Sequence, residues 1–129
     1  MIFRLLLLVL LLFAINCSDL INESELESKR GLLYNPKNSK PYSGKVYKLY
    51  STGSKMREGV FDLGTIDGSY TYYDNEGSII NPIEENKLDL KDGKKYFPGT
   101  DREYWGLAYG LYQTGEISYE VFYEGGKLS

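Results

Sequence analysis

The chain has 129 residues, with 13 Tyr, 5 Phe and 1 Trp beside 14 Gly, a formal net charge of −3, one cysteine and no histidine. Its mildly acidic balance argues against a nucleic-acid partner, since a phosphate backbone calls for a basic surface. The missing histidine removes the usual general base and the commonest metal ligand, and a lone cysteine excludes an internal disulfide.

The first predicted element is Met1–Asn16, with one charge at Arg4 and an unbroken apolar run of 11 residues from Leu5 to Ile15. At about 1.5 Å per residue the run spans roughly 16 Å, half of a ~30 Å hydrocarbon core, which suits a helical signal peptide rather than a permanent transmembrane helix. It ends Phe13-Ala14-Ile15-Asn16-Cys17, so the sole cysteine directly follows the apolar segment. That placement resembles the lipobox of bacterial lipoproteins, although Ala14 and Asn16 stand where the family usually has Leu and a small residue. The resemblance implies cleavage before Cys17, acylation of its thiol (diacylglycerol, palmitate-type chains) and a protein anchored in a cell membrane or outer membrane, facing periplasm or exterior. Two or three acyl chains suffice for stable attachment where one is marginal. A plain secretory signal and an uncleaved anchor are the alternatives. Residues 17–30 then read as the lipidated cysteine and a polar, flexible tether.

Residues 31–129 are expected to form one β-repeat domain. Leu49-Tyr50-Ser51-Thr52-Gly53 returns as Leu111-Tyr112-Gln113-Thr114-Gly115, 62 positions later, and the echo runs on to Gly64 and Gly126. Tyr72-Tyr73-Asp74-Asn75-Glu76-Gly77 repeats the element again, with Tyr73 matched to Tyr50 and a turn one residue longer. Each unit reads as a hairpin: an aromatic run, a polar turn closed by Gly, then an alternating strand. On that alternation Ile117, Tyr119, Val121 and Tyr123 share one face.

The pattern of Tyr-x-x-Gly, a strand, and Asp67-Gly68-Ser69-Tyr70-Thr71-Tyr72-Tyr73 resembles the bacterial MORN repeat of the YwqK-type antitoxin family, with Arg30–Tyr34 and Pro41–Val46 similar to its opening segment. The resemblance covers about 31–80 and 110–128. Residues 83–104 depart from it, as degenerate units or an inserted loop. It implies an all-β, elongated, single-layer antiparallel meander of hairpins, each touching mainly its neighbours. Glu116, Glu120 and Glu124 are expected to protect the last edge strand by repulsion between copies.

Tyr104, Trp105, Tyr109 and Tyr112 form the densest aromatic patch and are the candidate binding residues, weighed against a role as the core of a thin sheet. Asp74–Gly77 lacks the ligand series of a calcium loop and reads as a turn, so no metal or other cofactor is expected. The carboxylates Asp62, Asp67, Asp101, Glu103, Glu116 and Glu120 read as solvated charge rather than an acid–base pair, and Lys91, Lys94 and Lys95 as a solvated basic loop with a weak claim on anionic headgroups. No residue is assigned a catalytic role. The expected function is a lipid-anchored, non-catalytic binding or scaffold module for a protein or envelope polymer; the alternative is an immunity or antitoxin-type protein acting at the envelope.

Overall fold

Two-residue turns in which both residues have positive φ divide the chain into short strands: Arg30 and Gly31 (53° and 78°), Leu63 and Gly64 (50° and 87°), Asp92 and Gly93 (50° and 78°), Gly125 and Gly126 (56° and 78°). This backbone matches the twist of antiparallel strands, and glycine supplies its second position without a Cβ penalty. The computed structural model describes residues 20–129; Cys17 and the signal segment lie outside the described residues.

The strands are β1 (Leu20–Asn22), β2 (Glu27–Lys29), β3 (Leu32–Asn35), β4 (Lys40–Pro41), β5 (Gly44–Leu49), β6 (Lys55–Asp62), β7 (Thr65–Tyr73), β8 (Ile79–Ile80), β9 (Ile83–Glu84), β10 (Asp89–Lys91), β11 (Lys94–Tyr96), β12 (Gly106–Leu111), β13 (Ile117–Glu124) and β14 (Lys127–Leu128). Single 3₁₀ turns lie at Glu23–Glu25 and Glu85–Lys87, and the described residues contain no α-helix. The all-β expectation is met. One long meander is not what forms: the sheets have the orders β1-β5-β6-β7-β8, β14-β13-β12-β9, β2-β3-β4 and β10-β11. β9 also runs parallel to β12, pairing Ile83 with Ala108 and Glu84 with Tyr109.

The described residues fall into two compact units, one of residues up to Val46 with Gly59–Gly68, the other of Tyr47–Glu58 with Ser69–Ser129. β5, β6 and β7 pass from one to the other along the chain.

In the first unit three backbone bonds close a triangle. Leu33 N–H donates to Gly64 O, Tyr42 N–H to Leu33 O and Gly64 N–H to Tyr42 O, each at 2.9 Å. The Tyr42 hydroxyl donates to Lys45 O at 3.0 Å, and Tyr42, Val46 and Phe61 are buried. Leu20–Lys29, expected as tether, carries β1, a 3₁₀ turn and β2. Asn22 caps that turn through Ser24 N–H, Leu26 N–H bonds Glu23 O, Ile21 and Leu26 are half-buried, and Glu27 pairs with Tyr34. Backbone bonding and two partly covered aliphatics thus order a segment whose composition is polar.

The second unit contains the same triangle shifted by 62 residues: Lys95 N–H to Gly126 O, Tyr104 N–H to Lys95 O and Gly126 N–H to Tyr104 O, at 2.8, 2.9 and 3.0 Å. The Tyr104 hydroxyl likewise reaches Leu107 O at 2.7 Å. Residues 83–104 are therefore no insertion. They are the counterpart of 21–42, with Ile21/Ile83, Glu23/Glu85, Leu26/Leu88, Gly31/Gly93, Tyr34/Tyr96, Pro36/Pro98 and Tyr42/Tyr104 identical at that spacing. The core of this unit is Leu88, Tyr104, Ala108 and Tyr123, packed against Ile83, Phe97 and Val121. Its rings meet edge to face, Phe97 and Tyr104 at 4.7 Å and Tyr104 and Tyr123 at 6.0 Å between centroids.

The polar turns are of equal length, contrary to the longer middle turn expected. Tyr50 N–H bonds Ser54 O, Asp74 N–H bonds Ser78 O and Tyr112 N–H bonds Glu116 O. Asp74, not Tyr73, therefore stands in the place of Tyr50 and Tyr112.

Candidate binding surface

The four aromatic residues singled out from the sequence do not form one patch. Tyr104 is 1% exposed and belongs to the core, where burial pushes its hydroxyl well above the ordinary tyrosine range. Trp105 is half-buried, edge-on to Tyr50 at 5.1 Å and 88°. Tyr109 is half-buried and lines a shallow cavity of about 200 Å³ with Glu84, Asn86, Gly110, Leu111 and Tyr119. Tyr112 is 58% exposed.

Of the exposed apolar side chains, Leu111, Tyr112, Ile117 and Tyr119 lie at the turn end of β12 and β13, while Leu20, Leu49, Val60, Leu63, Ile79, Leu90 and Leu128 are exposed elsewhere. Local register divides them between the two faces of the hairpin. β12 and β13 pair Gly106 with Tyr123, Ala108 with Val121 and Gly110 with Tyr119, but Leu111 pairs with Ile117, so the ladder slips around Ser118. Cross-strand partners share a face. The bulge therefore takes Ile117 off the face of Tyr119, Val121 and Tyr123, where simple alternation placed it.

Tyr119 lies over Gly110 so closely that a Cβ on Gly110 would overlap its ring. An aromatic side chain covering a strand glycine across the ladder restores the packing that glycine lacks. Glu85, on the 3₁₀ turn after β9, fixes this face by accepting from the Tyr119 hydroxyl at 2.8 Å and the Tyr123 hydroxyl at 2.6 Å. That hydrogen bond raises the Tyr119 pKa, and burial followed by Glu85 raises that of Tyr123, so both hydroxyls stay protonated as donors. Neither Glu85 nor Tyr119 carries a sequence signal of this role, because they lie 34 residues apart.

The corresponding end of the first hairpin, in the same unit, is covered. Tyr50 is 2% exposed, its hydroxyl donates to Tyr73 O at 2.6 Å, and burial leads the causes that raise its pKa. Ser51 donates both its N–H and its hydroxyl to the Glu124 carboxylate, at 2.7 and 2.6 Å. Where the second hairpin has Ile117 and Tyr119, the first has Lys55, paired with Glu58 at 2.7 Å, and Arg57, whose guanidinium lies 4.1 Å from the Tyr70 centroid and 5.0 Å from that of Phe122. Tyr73 donates its hydroxyl to Glu58, and this bond raises the Tyr73 pKa.

The Asp74 carboxylate, 1% exposed, accepts from Glu76 N–H, Ser78 N–H and the Arg102 guanidinium at 2.8, 3.0 and 2.7 Å. Its oxygens are thus taken up by the turn and a cation. Of the other charged candidates, Asp101 pairs with Lys91 and Glu103 with Lys94, while Asp62, Asp67, Glu116 and Glu120 are exposed. Glu84 is the one carboxylate lining the cavity, so the paired acid–base arrangement of a glycosidase is not assembled there. The chain matches no family model, no curated protein and no solved structure.

Proposed function

We propose that this protein is a lipid-anchored, non-catalytic binding module of the cell envelope, held to the bilayer through Cys17 and engaging a protein or envelope polymer with the turn end of its second hairpin. The anchor rests on the lipobox-like placement of Cys17 after the apolar run. MORN-like organisation rests on the hairpin pattern. A single observation carries the binding surface: Tyr112, Ile117 and Tyr119 are exposed where their first-hairpin counterparts Tyr50, Lys55 and Arg57 are packed or charged, while Leu111 is exposed as its counterpart Leu49 is. Apolar clusters rimmed by polar groups, here Glu84, Asn86 and Glu116, mark interaction sites on soluble surfaces.

Two measurements test the two halves of this reading. Mass spectrometry of the membrane-extracted protein should find acyl mass on an N-terminal Cys17; an unmodified thiol or another N-terminus removes the anchor. Cross-linking in intact cells should yield partners that a Tyr112→Ser, Ile117→Ser variant loses while its circular dichroism is unchanged. An unchanged partner set removes the surface.

A further inference from the structure

One exchange between the two repeats changes the shape of the core. In the second unit Phe97 and Ile83 pack against Leu88, Tyr104, Ala108 and Tyr123. The Phe97 ring is edge-on to Tyr104 at 4.7 Å, with the Arg102 guanidinium 4.9 Å from its centroid. In the first unit Ile21, Leu26 and Tyr42 keep their places, but Asn35 stands for Phe97 and Lys40 for Arg102. Backbone pairing is kept, Asn35 with Lys40 as Phe97 with Arg102, so the difference lies in the side chains. Asn35 does not reach into the core as a ring does: its Oδ1 turns back to accept Lys37 N–H at 3.0 Å. A cavity of about 310 Å³ opens there, lined by Leu20, Ile21, Glu25, Asn35, Lys37 and Tyr42. Leu26 is accordingly half-buried, where its counterpart Leu88 is 5% exposed. Pockets for small ligands begin at about 300 Å³ and combine apolar walls with a few polar groups.

We propose that this cavity of the first unit binds a small aromatic carboxylate with a single ring. The ring takes the place that Phe97 fills in the second unit, edge-on to Tyr42 and against Ile21. Lys40 supplies the cation that Arg102 brings to Phe97. The carboxylate is met by Lys37, an exposed ammonium where the second unit has Gly99. Glu25 stands on the same rim and repels a carboxylate, so it turns the anionic end toward Lys37 and fixes the orientation. The Asn35 amide, its oxygen already bonded, keeps its N–H groups as donors to the ligand. None of these residues belongs to the second hairpin, and the site stands or falls apart from the surface proposed there.

The probe is 3-phenylpropionate, titrated into the full chain in lipid nanodiscs and followed by assigned methyl NMR. The Ile21 and Leu20 methyl signals should shift under the ring current and saturate in the millimolar range, while those of Ile83 stay in place. As competitors, 3-cyclohexylpropionate, which offers Lys40 no π face, and 3-phenylpropylamine, which offers Lys37 no anion, should each be about threefold weaker. Asn35→Phe should abolish the shifts and raise the urea midpoint, because a tethered ring then fills the cavity. Lys37→Glu, on the surface and outside the core, should weaken binding at least fivefold and serves where Asn35→Phe does not fold. No saturable shift at Ile21, equal binding of the amine or the cyclohexyl acid, or binding unchanged by a folded Asn35→Phe or by Lys37→Glu would each overturn the site.

Discussion

The Arg102 guanidinium lies 2.7 Å from the buried carboxylate of Asp74, 28 residues away in sequence, while facing the Phe97 ring at 4.9 Å. Removing one partner of such a pair leaves an uncompensated charge, at about 3–5 kcal/mol for a fully buried case. Arg102 is itself partly open to water, so Arg102→Ala should lower the unfolding free energy by about 3 kcal/mol in urea titrations, the lower end of that range. A loss within experimental error would mean the two turn amides alone hold Asp74.

The same site sets an acid dependence. Burial raises the Asp74 pKa, but the bonds from Arg102, Ser78 N–H and Glu76 N–H outweigh it and hold the carboxyl below its ordinary value of 3.8. A folded pKa below the unfolded one means the unfolded chain binds the extra proton, so this stabilisation is present above the unfolded value and lost as pH falls through the folded one. Urea midpoints should therefore drop on acidification below about pH 4, and Asp74→Asn should flatten that part of the profile. A profile of unchanged slope in the variant would assign the acid sensitivity to other carboxylates.

Gly110 and Tyr119 should behave as a coupled pair. Gly110→Val forces the Tyr119 ring off its seat and away from Glu85, and overpacking of this kind costs about 1–3 kcal/mol. Gly110→Val combined with Tyr119→Ala should be more stable than additivity of the single variants implies. Strict additivity in a double-mutant cycle would show that the ring does not rely on the glycine.

Tyr50 and Tyr112 offer a comparison within one chain. Tyr50→Ala removes a packed ring together with its bond to Tyr73 O, and should cost about 3–5 kcal/mol by analogy with other buried aromatics. Tyr112→Ala should fall within about 0.5 kcal/mol of the parent, as exposed substitutions usually do. Equal losses at the two positions, measured by chemical denaturation, would mean Tyr112 is packed.

The hairpin half of the repeat was legible because Leu, Tyr, Thr and Gly recur within five consecutive positions from Leu49 and from Leu111. The other half was not. Its shared residues are scattered, and between them Leu33 becomes Lys95, Asn35 becomes Phe97 and Pro41 becomes Glu103. The backbone triangle tolerates the exchange of Leu33 for Lys95 because that position contributes only its N–H and C=O, and the other two exchanges fall outside the triangle. For the same reason Leu20–Lys29 reads as a tether by composition and yet pairs as strand. Alternation failed at one residue, Ser118, since a bulge leaves no mark that periodicity detects. Density of aromatics located the right region but not the right rings. Tyr104 and Tyr112 have the same chemistry, and only three-dimensional packing puts one in the core and the other in water. Ser51 and Glu124, 73 residues apart, form a contact for which the sequence holds no local cue.

The closing triangle of each repeat also bears on how the chain finds its fold. Leu33, Tyr42 and Gly64 are joined by the same backbone bonds as Lys95, Tyr104 and Gly126, so hydrogen bonding alone does not distinguish a strand of one repeat from its counterpart in the other. Correct assembly depends on neighbouring segments closing before distant ones meet. Crowded refolding works against that order, and at high concentration strands of one molecule are expected to complete the triangles of another, giving intertwined multimers.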